Sequence, residues 1–215
     1  MHSNGTKEVE EKSRDEKTPA LSLEEKIKQL SVPIVESVSK QHIENFKFFN
    51  ERHYVEYYSS YCNKEKQYED MCIRVHTNKL ILITLAYGNN IVKSNKNITE
   101  IDFVINKGDR SRINLKGKRK LGAKQMHPET VVCKVKLEGE EELRNIRAGV
   151  NGYLIEINEL IKSDPNLLKN DPKCNGFLAI IMPKGPLQES KLLNHNEHLI
   201  TEEAYAKLLL ERNTT

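Results

Sequence analysis

GVNGYLIEINELIKSDPNLLKNDPKCNGFLAIIMPK, residues 149 to 184, is the most informative segment of this sequence. Its two short apolar runs, GYLIEI and GFLAIIM, both begin with glycine and flank a segment with helical signals. Gly152 allows a neighbouring backbone to approach closely, and Asn158 can close the following turn with its side chain. Asp164 can cap a second helical piece that has Pro165 at its first position. We therefore predict a strand, two short helical pieces and a strand, with one end of a barrel covered by Leu160, Ile161, Leu167 and Leu168.

The sequence upstream of this stretch also has the pattern of short strands. MCIRVHTNKLILITLA, residues 71–86, places apolar and β-branched residues on both sides of Thr77-Asn78 and predicts a hairpin. Three further runs, ITEIDFVI, TVVCKVKL and LRNIRAGV, are separated by clusters of Gly, Asn, Asp and Lys. Many short strands with little helix between them are typical of a small barrel or sandwich. The sequence therefore predicts a mainly β fold.

Both ends of the chain differ from this β-rich middle. Residues 1–20 carry many charges and almost no large apolar side chains, a composition that predicts disorder. A capping box at Ser22 and Glu25 predicts a short helix, and residues 34–49 form a second amphipathic stretch. In LITEEAYAKLLLERN, Thr201 can cap a terminal helix. We expect three regions: an N-terminal extension over residues 1–53, a barrel domain over 54–185, and a linker with a C-terminal helix over 186–215.

Composition and charge exclude several classes of function. The chain has 215 residues, and its 34 Lys and Arg against 31 Asp and Glu give a net charge of +3, which does not predict bulk binding to a polyanion. Four scattered cysteines without a CxxC pair predict reduced thiols rather than zinc or dithiol chemistry. No stretch approaches the roughly 18 apolar residues of a membrane span, and no N-terminal segment has the pattern of a secretory signal. We expect a soluble, intracellular protein with no membrane partner.

Sequence motifs give no support to an enzyme. His195 and His198, in HNEH, lack further ligands at a recognisable spacing, so no metal site is predicted. His76 and His127 have no Ser or Cys in a nucleophile motif beside them. The glycines of KGKRKLGAK, residues 116–124, lack the Walker spacing and its Lys-Ser/Thr pair. We predict no catalytic, cofactor-binding or metal-binding residues.

The order of elements in residues 149–184 resembles the C-terminal half of the glycine-cleavage H-protein fold. That fold belongs to the lipoyl and biotinyl carriers, flattened β-barrels called barrel-sandwich hybrids. The resemblance implies such a barrel here, and it implies a lysine at a hairpin tip for a swinging arm. Counted back from Gly152, the position of that lysine falls on Glu141, and no lysine lies between Lys136 and Lys162. We therefore expect no lipoyl-type cofactor, and the turn at Glu138-Gly139 is either a solvated turn or an acidic docking surface.

Four blocks extend from about Tyr54 to Asn213: YVEYYSSYCNKEKQYEDMCIRVHTNKLILITLA, GKRKLGAKQMHPETVVCKV, GYLIEINE and ITEEAYAKLLLERN. Together and in this order they resemble the Abitram family, also called Simiate, the actin-binding transcription modulators. The resemblance implies a non-enzymatic, H-protein-like domain with actin and nuclear proteins as partners. It also implies modulation of actin assembly, cell-projection dynamics and transcription. The implied locations are the nucleus, including speckles, and actin-rich projections of the cytoplasm. No residue of an actin site is carried over from the family.

The segment KGKRKLGAK concentrates positive charge in an otherwise balanced chain. Gly117 and Gly122 are suited to reversing the chain, and cations beside them would project outward because they are rarely buried unpaired. A solvated turn, a contact surface for an acidic partner and a nuclear-import address all stay open. We take the five cations as candidate partner-binding residues for actin, with an RNA-facing nuclear adaptor as the alternative: Lys116, Lys118, Arg119, Lys120 and Lys124.

A group of tyrosines lies upstream of the basic segment rather than within it. Base stacking needs aromatic rings near the cations, so this separation is unfavourable for RNA binding. We predict that the rings pack in or against the core, with a protein-interaction patch as the alternative. They are Tyr54, Tyr57, Tyr58, Tyr61 and Tyr68.

Overall fold

Twelve β-strands and four helices lie within the residues that this computed structural model describes, which are 52–63, 67–106, 108–113, 115–116, 122–184 and 198–214. The strands are β1 (Tyr54–Ser59), β2 (Met71–His76), β3 (Ile81–Leu85), β4 (Ile98–Asp102), β5 (Val104–Ile105), β6 (Gly108–Asp109), β7 (Lys124–Met126), β8 (Val131–Leu137), β9 (Leu143–Arg147), β10 (Gly152–Ile157), β11 (Ala179–Pro183) and β12 (Leu199–Thr201). The helices are α1 (Asn90–Lys93), α2 (Leu160–Ser163), α3 (Leu167–Asn170) and α4 (Glu202–Thr214). The disorder and helices predicted before residue 50 fall outside the described residues, and the predicted domain boundaries stay predictions.

The strands form two main antiparallel sheets. The larger sheet has seven strands in the order β12-β1-β2-β3-β11-β10-β7, and the smaller has three in the order β4-β8-β9. β5 and β6 form a short pair of their own. The mainly β prediction is confirmed. Neither sheet closes on itself, so the described strands form a flattened two-sheet structure rather than a closed barrel.

One apolar core joins the two sheets, because successive side chains of a strand point to opposite faces. The C-terminal part of β8 shows this alternation, since Val135 and Leu137 are buried while Lys134 and Lys136 are half-buried. The same core cluster takes residues from both sheets, among them Ile73, Ile83, Leu154 and Ile181 of the larger and Val132 and Ile146 of the smaller.

The two backbone features predicted for the opening stretch are confirmed. A side chain at Gly152 would meet the Cγ2 methyl of Ile181, and its Cβ would lie 2.6 Å from the carbonyl oxygen of Met182. Asn158 is buried at the end of β10, where its Oδ1 accepts a hydrogen bond from the Leu160 amide at 3.0 Å. The Asn158 amide group also donates to the carbonyls of Asn175 and Phe177, at 2.6 and 2.8 Å. One side chain therefore fixes both the turn into α2 and the return of the chain to β11.

The helical pieces α2 and α3 follow this turn as predicted, with one error in the start of α3 and one in burial. Asp164 Oδ1 accepts from the Asn166 amide at 3.0 Å. The residue before α3 is Asn166, which makes no side-chain capping bond, so the predicted cap at Asp164 with Pro165 as the first helical residue was wrong. Ile161 and Leu168 are buried in the core, and Leu167 packs against it. The prediction was wrong for Leu160, which is 53% exposed. α2 is a single turn that buries only Ile161, so the residue before it faces outward.

The hairpin predicted in residues 71–86 is confirmed as β2 and β3. Its register pairs Val75 with Ile81, which leaves a connection longer than the Thr77-Asn78 turn. Lys79 in this connection has a φ of 76°, and the His76 amide donates to the Leu80 carbonyl at 2.9 Å.

The C-terminal helix is also confirmed, and Thr201 Oγ1 accepts from the Ala204 amide at 3.4 Å. The residues before it were not predicted as a strand. They form β12, which pairs with β1 through Tyr57 with Thr201, Tyr58 with Ile200 and Ser59 with Leu199. β1 itself was interpreted only as a group of tyrosines, yet it pairs with all six residues of β2.

Candidate interaction surfaces

The hairpin of β8 and β9 ends in the acidic turn predicted from the sequence. Gly139 adopts a φ of 73° with open space around its Cα, and the Glu140 amide donates to the Leu137 carbonyl at 3.0 Å. The side chains of Glu138, Glu141 and Glu142 are exposed. This hairpin is where the resemblance to carrier proteins requires a modified lysine, and its tip displays carboxylates.

Glu140 anchors the turn through two cations. Its carboxylate accepts from Lys96 Nζ at 2.9 Å and from two nitrogens of Arg144, each at 2.8 Å. The bond from Lys96, with a further contribution from Arg144, holds the pKa of Glu140 below its usual value. An amine therefore does reach the tip from the segment before β4. Its ion pair holds it against the turn, whereas a swinging arm needs a lysine that projects into solvent.

A groove of about 410 Å³ separates this tip from the turn that precedes β2. Asn63, Gln67 and Glu69 line one side, and residues 140–145 line the other. Glu69 is paired with Arg147 at 2.7 Å, so the charge of that carboxylate is compensated within the fold.

The basic segment is only partly within the described residues. Lys118, Arg119 and Lys120 lie outside them, and Lys116 is exposed. Gly122 has a φ of 93°, the backbone conformation expected where the chain reverses. Lys124 departs from the expectation of an outward cation, since it is half-buried and its Nζ donates to the Asp109 carbonyl at 2.5 Å. Its role as a partner-binding residue, like that of the other four, stays a prediction.

The tyrosines pack, as predicted, and three of them do so beneath arginines. Tyr57 and Tyr58 are buried. The arginine Cζ atoms lie over the other three rings at 4.3 Å for Arg74 on Tyr54, 4.3 Å for Arg147 on Tyr61 and 3.7 Å for Arg212 on Tyr68. Each arginine is also paired with a carboxylate: Arg74 with Glu56, Arg147 with Glu69, and Arg212 with Asp70. Each of these three arginines therefore contacts both a tyrosine ring and a carboxylate. This pattern was not predicted from the sequence, because the partners are distant along the chain.

Histidines and cysteines have structural surroundings. His198 Nε2 lies 2.8 Å from the Gly149 carbonyl and His127 Nδ1 lies 3.2 Å from Asn151 Oδ1, while His195 falls outside the described residues. Within the described part of the chain, no group of three His, Cys, Asp or Glu side chains could hold a metal ion. The four cysteines form no disulfide. Burial raises the pKa of Cys72 to about 12, so that thiol stays protonated and is a poor nucleophile.

Among the residues with described structure, no helix has the length and apolar character needed to cross a membrane.

The described residues form a mainly β module of two packed sheets, with an acidic hairpin tip. No protein-family model matches the sequence. The chain is 34% identical to Protein Abitram of Danio rerio over 151 residues, which are 70% of this chain and 82% of that relative. It is 33% identical to Protein Abitram of Homo sapiens over 69% of this chain and 80% of that relative. It is 30% identical to Protein Abitram of Dictyostelium discoideum over 74% of this chain and 86% of that relative. The chain belongs to the Abitram family.

Among solved structures, a glycine cleavage system H protein from Mycobacterium marinum is similar with a TM-score of 0.45 and 14% sequence identity. The match covers 70% of this chain and 94% of that protein.

Proposed function

We propose that this chain is a non-enzymatic, actin-binding regulator of filament assembly and cell-projection dynamics, with a second role in modulating transcription. The observation that supports the proposal is membership in the Abitram family, for which the resemblance in the sequence implies actin and nuclear partners. The corresponding locations are the nucleus, including speckles, and the actin-rich projections of the cytoplasm.

The hairpin of β8 and β9 favours an interaction module over a carrier. A lipoyl or biotinyl arm needs an amine nucleophile at the tip, and the sequence from Leu137 to Ile161 contains no lysine. Arg144 cannot substitute, because a guanidinium stays protonated at physiological pH. Lys96 is paired with Glu140.

We expect the protein purified from cells to have an intact mass without a lipoyl or biotinyl adduct. The physical reason is the absence of an attachment lysine on the hairpin. Mass spectrometry of the whole protein makes the measurement, and a carrier protein purified from the same cells serves as the positive control. An adduct that maps to Lys96 would show that an amine from outside the hairpin replaces the missing lysine, and would overturn the assignment.

The basic segment is the surface that we propose for contact with actin. Actin is acidic, and complementary charge accelerates association and selects the partner. Lys116 is exposed at the start of this segment, and the segment contains no aromatic residue on which a base could stack. RNA binding is the second candidate, favoured by the concentration of five cations in nine residues.

One triple variant distinguishes these candidates. Replacement of Lys118, Arg119 and Lys120 by alanine should weaken co-sedimentation with actin filaments about tenfold, at roughly 0.5 kcal/mol for each charge contact that is lost. If the segment binds RNA, the same variant should flatten the dependence of RNA affinity on salt in a filter-binding assay, by about one slope unit for each lost phosphate contact.

A control variant that loses the same number of positive charges elsewhere tests whether the effect comes from the basic segment or from net charge alone. Lys79, Lys93 and Lys184 are exposed and lie elsewhere on the described surface. Their replacement by alanine should leave binding to filaments within twofold of the original. Equal losses in the two triple variants would remove the basic segment as the contact surface.

A further inference from the structure

Helix α4 covers a small cluster that is distinct from the core between the sheets. The cluster consists of Tyr58, Cys72, Ala86, Tyr205 and Leu209. Tyr205 and Leu209 come from the helix, and the other three come from the outer side of β1 and β2 and from the end of β3. Leu199 of β12, by contrast, belongs to the main core. β12 borders both clusters, because its Leu199 belongs to the main core and its Ile200 packs against the cluster beneath α4.

The surface beneath α4 is shaped for one aromatic ring. The ring of Tyr205 stacks on Tyr58 with centroids 4.3 Å apart and an interplanar angle of 6°. Tyr87 meets both rings edge-on, at 5.7 Å and 5.1 Å. A side chain at Gly88 would collide with the Tyr205 hydroxyl, so the glycine leaves the space that this hydroxyl occupies. Two aromatic walls, Tyr58 and Tyr87, and a glycine floor form a slot for a tyrosine.

A buried carboxylate at the bottom of the slot holds two side chains of the helix. Asp70 is completely buried. Its carboxylate accepts from the Tyr205 hydroxyl at 2.8 Å and from Arg212 Nη1 at 2.5 Å. The Tyr61 amide is a third donor, at 3.2 Å. Burial raises the pKa of Tyr205, which keeps its hydroxyl protonated as the donor. The guanidinium of Arg212 also lies on the ring of Tyr68.

The helix makes this contact along a narrow stripe. Tyr205, Leu209 and Arg212 stand at positions i, i+4 and i+7, which share one face of a helix. Most of its other described side chains face solvent, and Leu210 is 68% exposed. A helix of 13 residues is only marginally stable in water without tertiary packing. Three anchors therefore hold a helix whose described residues are absent from the main core cluster.

We propose that the surface formed by Tyr58, Asp70, Tyr87 and Gly88 is a helix-binding site, which the chain's own helix α4 occupies reversibly. The site accepts a partner helix that presents Tyr, Leu and Arg at positions i, i+4 and i+7. α4 acts as a tethered competitor for that partner. Opening is local, because the core between the sheets keeps its packing when α4 leaves.

Hydrogen exchange on the full chain tests whether the opening is local. The amides of α4 should exchange at least tenfold faster than those of β2, β8 and β10, because local openings require less free energy than global unfolding. Arg212→Ala should accelerate exchange in α4 by about 100-fold, since it leaves a buried carboxylate without its cation. Exchange in β8 should not change. If α4 exchanges only together with β8, the proposal is wrong.

A peptide added in trans tests the binding site itself. The probe is a labelled synthetic peptide with the sequence of residues 202–215, and the partner is the full chain carrying Arg212→Ala, in which the tethered helix is weakened and the surface is intact. We expect this variant to bind the peptide at least tenfold more tightly than the original chain does. Leu209→Ala should have the same effect if Arg212→Ala fails to fold.

Two controls give the peptide experiment its specificity. Arg144→Ala removes an arginine that is paired with Glu140 on the hairpin of β8 and β9 and that makes no contact in the slot, so it should leave peptide binding as weak as in the original chain. A peptide in which the arginine at position 212 is alanine should lose binding at least tenfold. Equal binding of the peptide to the original chain and the weakened variants, or binding that does not require its arginine, would overturn the proposal.

Discussion

Gly176→Ala is expected to lower the free energy of unfolding by about 3 kcal/mol or more. Gly176 is buried after α3, and its amide donates to the Asp171 carbonyl at 2.8 Å. An added Cβ would collide with the carbonyl group of Leu167 and would lie 2.8 Å from the carbonyl oxygen of Asp171. Both neighbours are backbone atoms, so the clash cannot be relieved by a change of side-chain rotamer. Equilibrium unfolding in urea measures the change.

The structural consequence should spread beyond the glycine. Relief of the clash requires movement of α3, which is tied to β4 because Asn166 Oδ1 accepts from the Ile98 amide at 2.8 Å. Gly139→Ala is the matched control, because its Cβ would meet open space and its cost comes only from a φ of 73°, about 1 kcal/mol. A Gly176→Ala protein as stable as the Gly139→Ala protein would contradict the packing described for this turn.

Glu56→Ala is expected to destabilise the fold by about 3 kcal/mol, because it leaves a buried cation without its carboxylate. The Arg74 side chain is 1% exposed, and its Nε lies 3.1 Å from Glu56 Oε1. Arg74 Nη1 donates to the Lys173 carbonyl, and Nη2 has no hydrogen-bond partner among the described residues. Without the Glu56 carboxylate, the Lys173 carbonyl and the ring of Tyr54 would remain to stabilise the positive charge of Arg74.

Two further variants make this prediction specific. Glu140→Ala removes a carboxylate whose partners Lys96 and Arg144 are 48% and 21% exposed, and it should cost about 1 kcal/mol, because both cations can be hydrated when it is lost. Arg74→Met in the Glu56→Ala background should recover part of the loss, because it removes the uncompensated charge and retains an apolar side chain of similar length. Urea unfolding of the four proteins gives the comparison. A cost for Glu56→Ala no larger than that for Glu140→Ala would show that Arg74 does not depend on the pair.

The parts of the fold predicted correctly were those specified by residues close together in the sequence. The alternation in TVVCKVKL indicates β8, and the glycine and asparagine that bracket GYLIEI define both ends of β10. Asn158 acts on the turn two residues away, which is why its role could be predicted. Its bonds to Asn175 and Phe177 were not foreseen, since they depend on where the chain returns.

The features that were missed depend on residues distant along the chain. β12 is only three residues long, and it is a strand because β1 offers it an edge. Leu160 was assigned to the core from its apolar character, but a single-turn helix buries one side chain, and that side chain is Ile161. The contacts between the arginines and the tyrosine rings were also missed, because the partners are distant along the chain. Arg212 reaches Asp70 and Tyr68 from the other end of the chain.

In the candidate surfaces, too, local features were predicted from the sequence and contacts between distant residues were not. The acidic turn was predicted because Glu138-Gly139 is a local signal, and the missing lysine is a property of the sequence itself. The pairing of Glu140 with Lys96 required the tertiary structure. Lys124 was grouped with its neighbours by charge alone, whereas in the fold it is bound to the Asp109 carbonyl.

The polymerisation of pyrene-labelled actin tests most directly whether this chain regulates filament assembly. We expect the protein at micromolar concentrations to change the rate of assembly in proportion to its concentration, and the variant lacking the charges of Lys118, Arg119 and Lys120 to have a smaller effect. Assembly curves that are identical with and without micromolar protein would show that the chain does not regulate filament assembly.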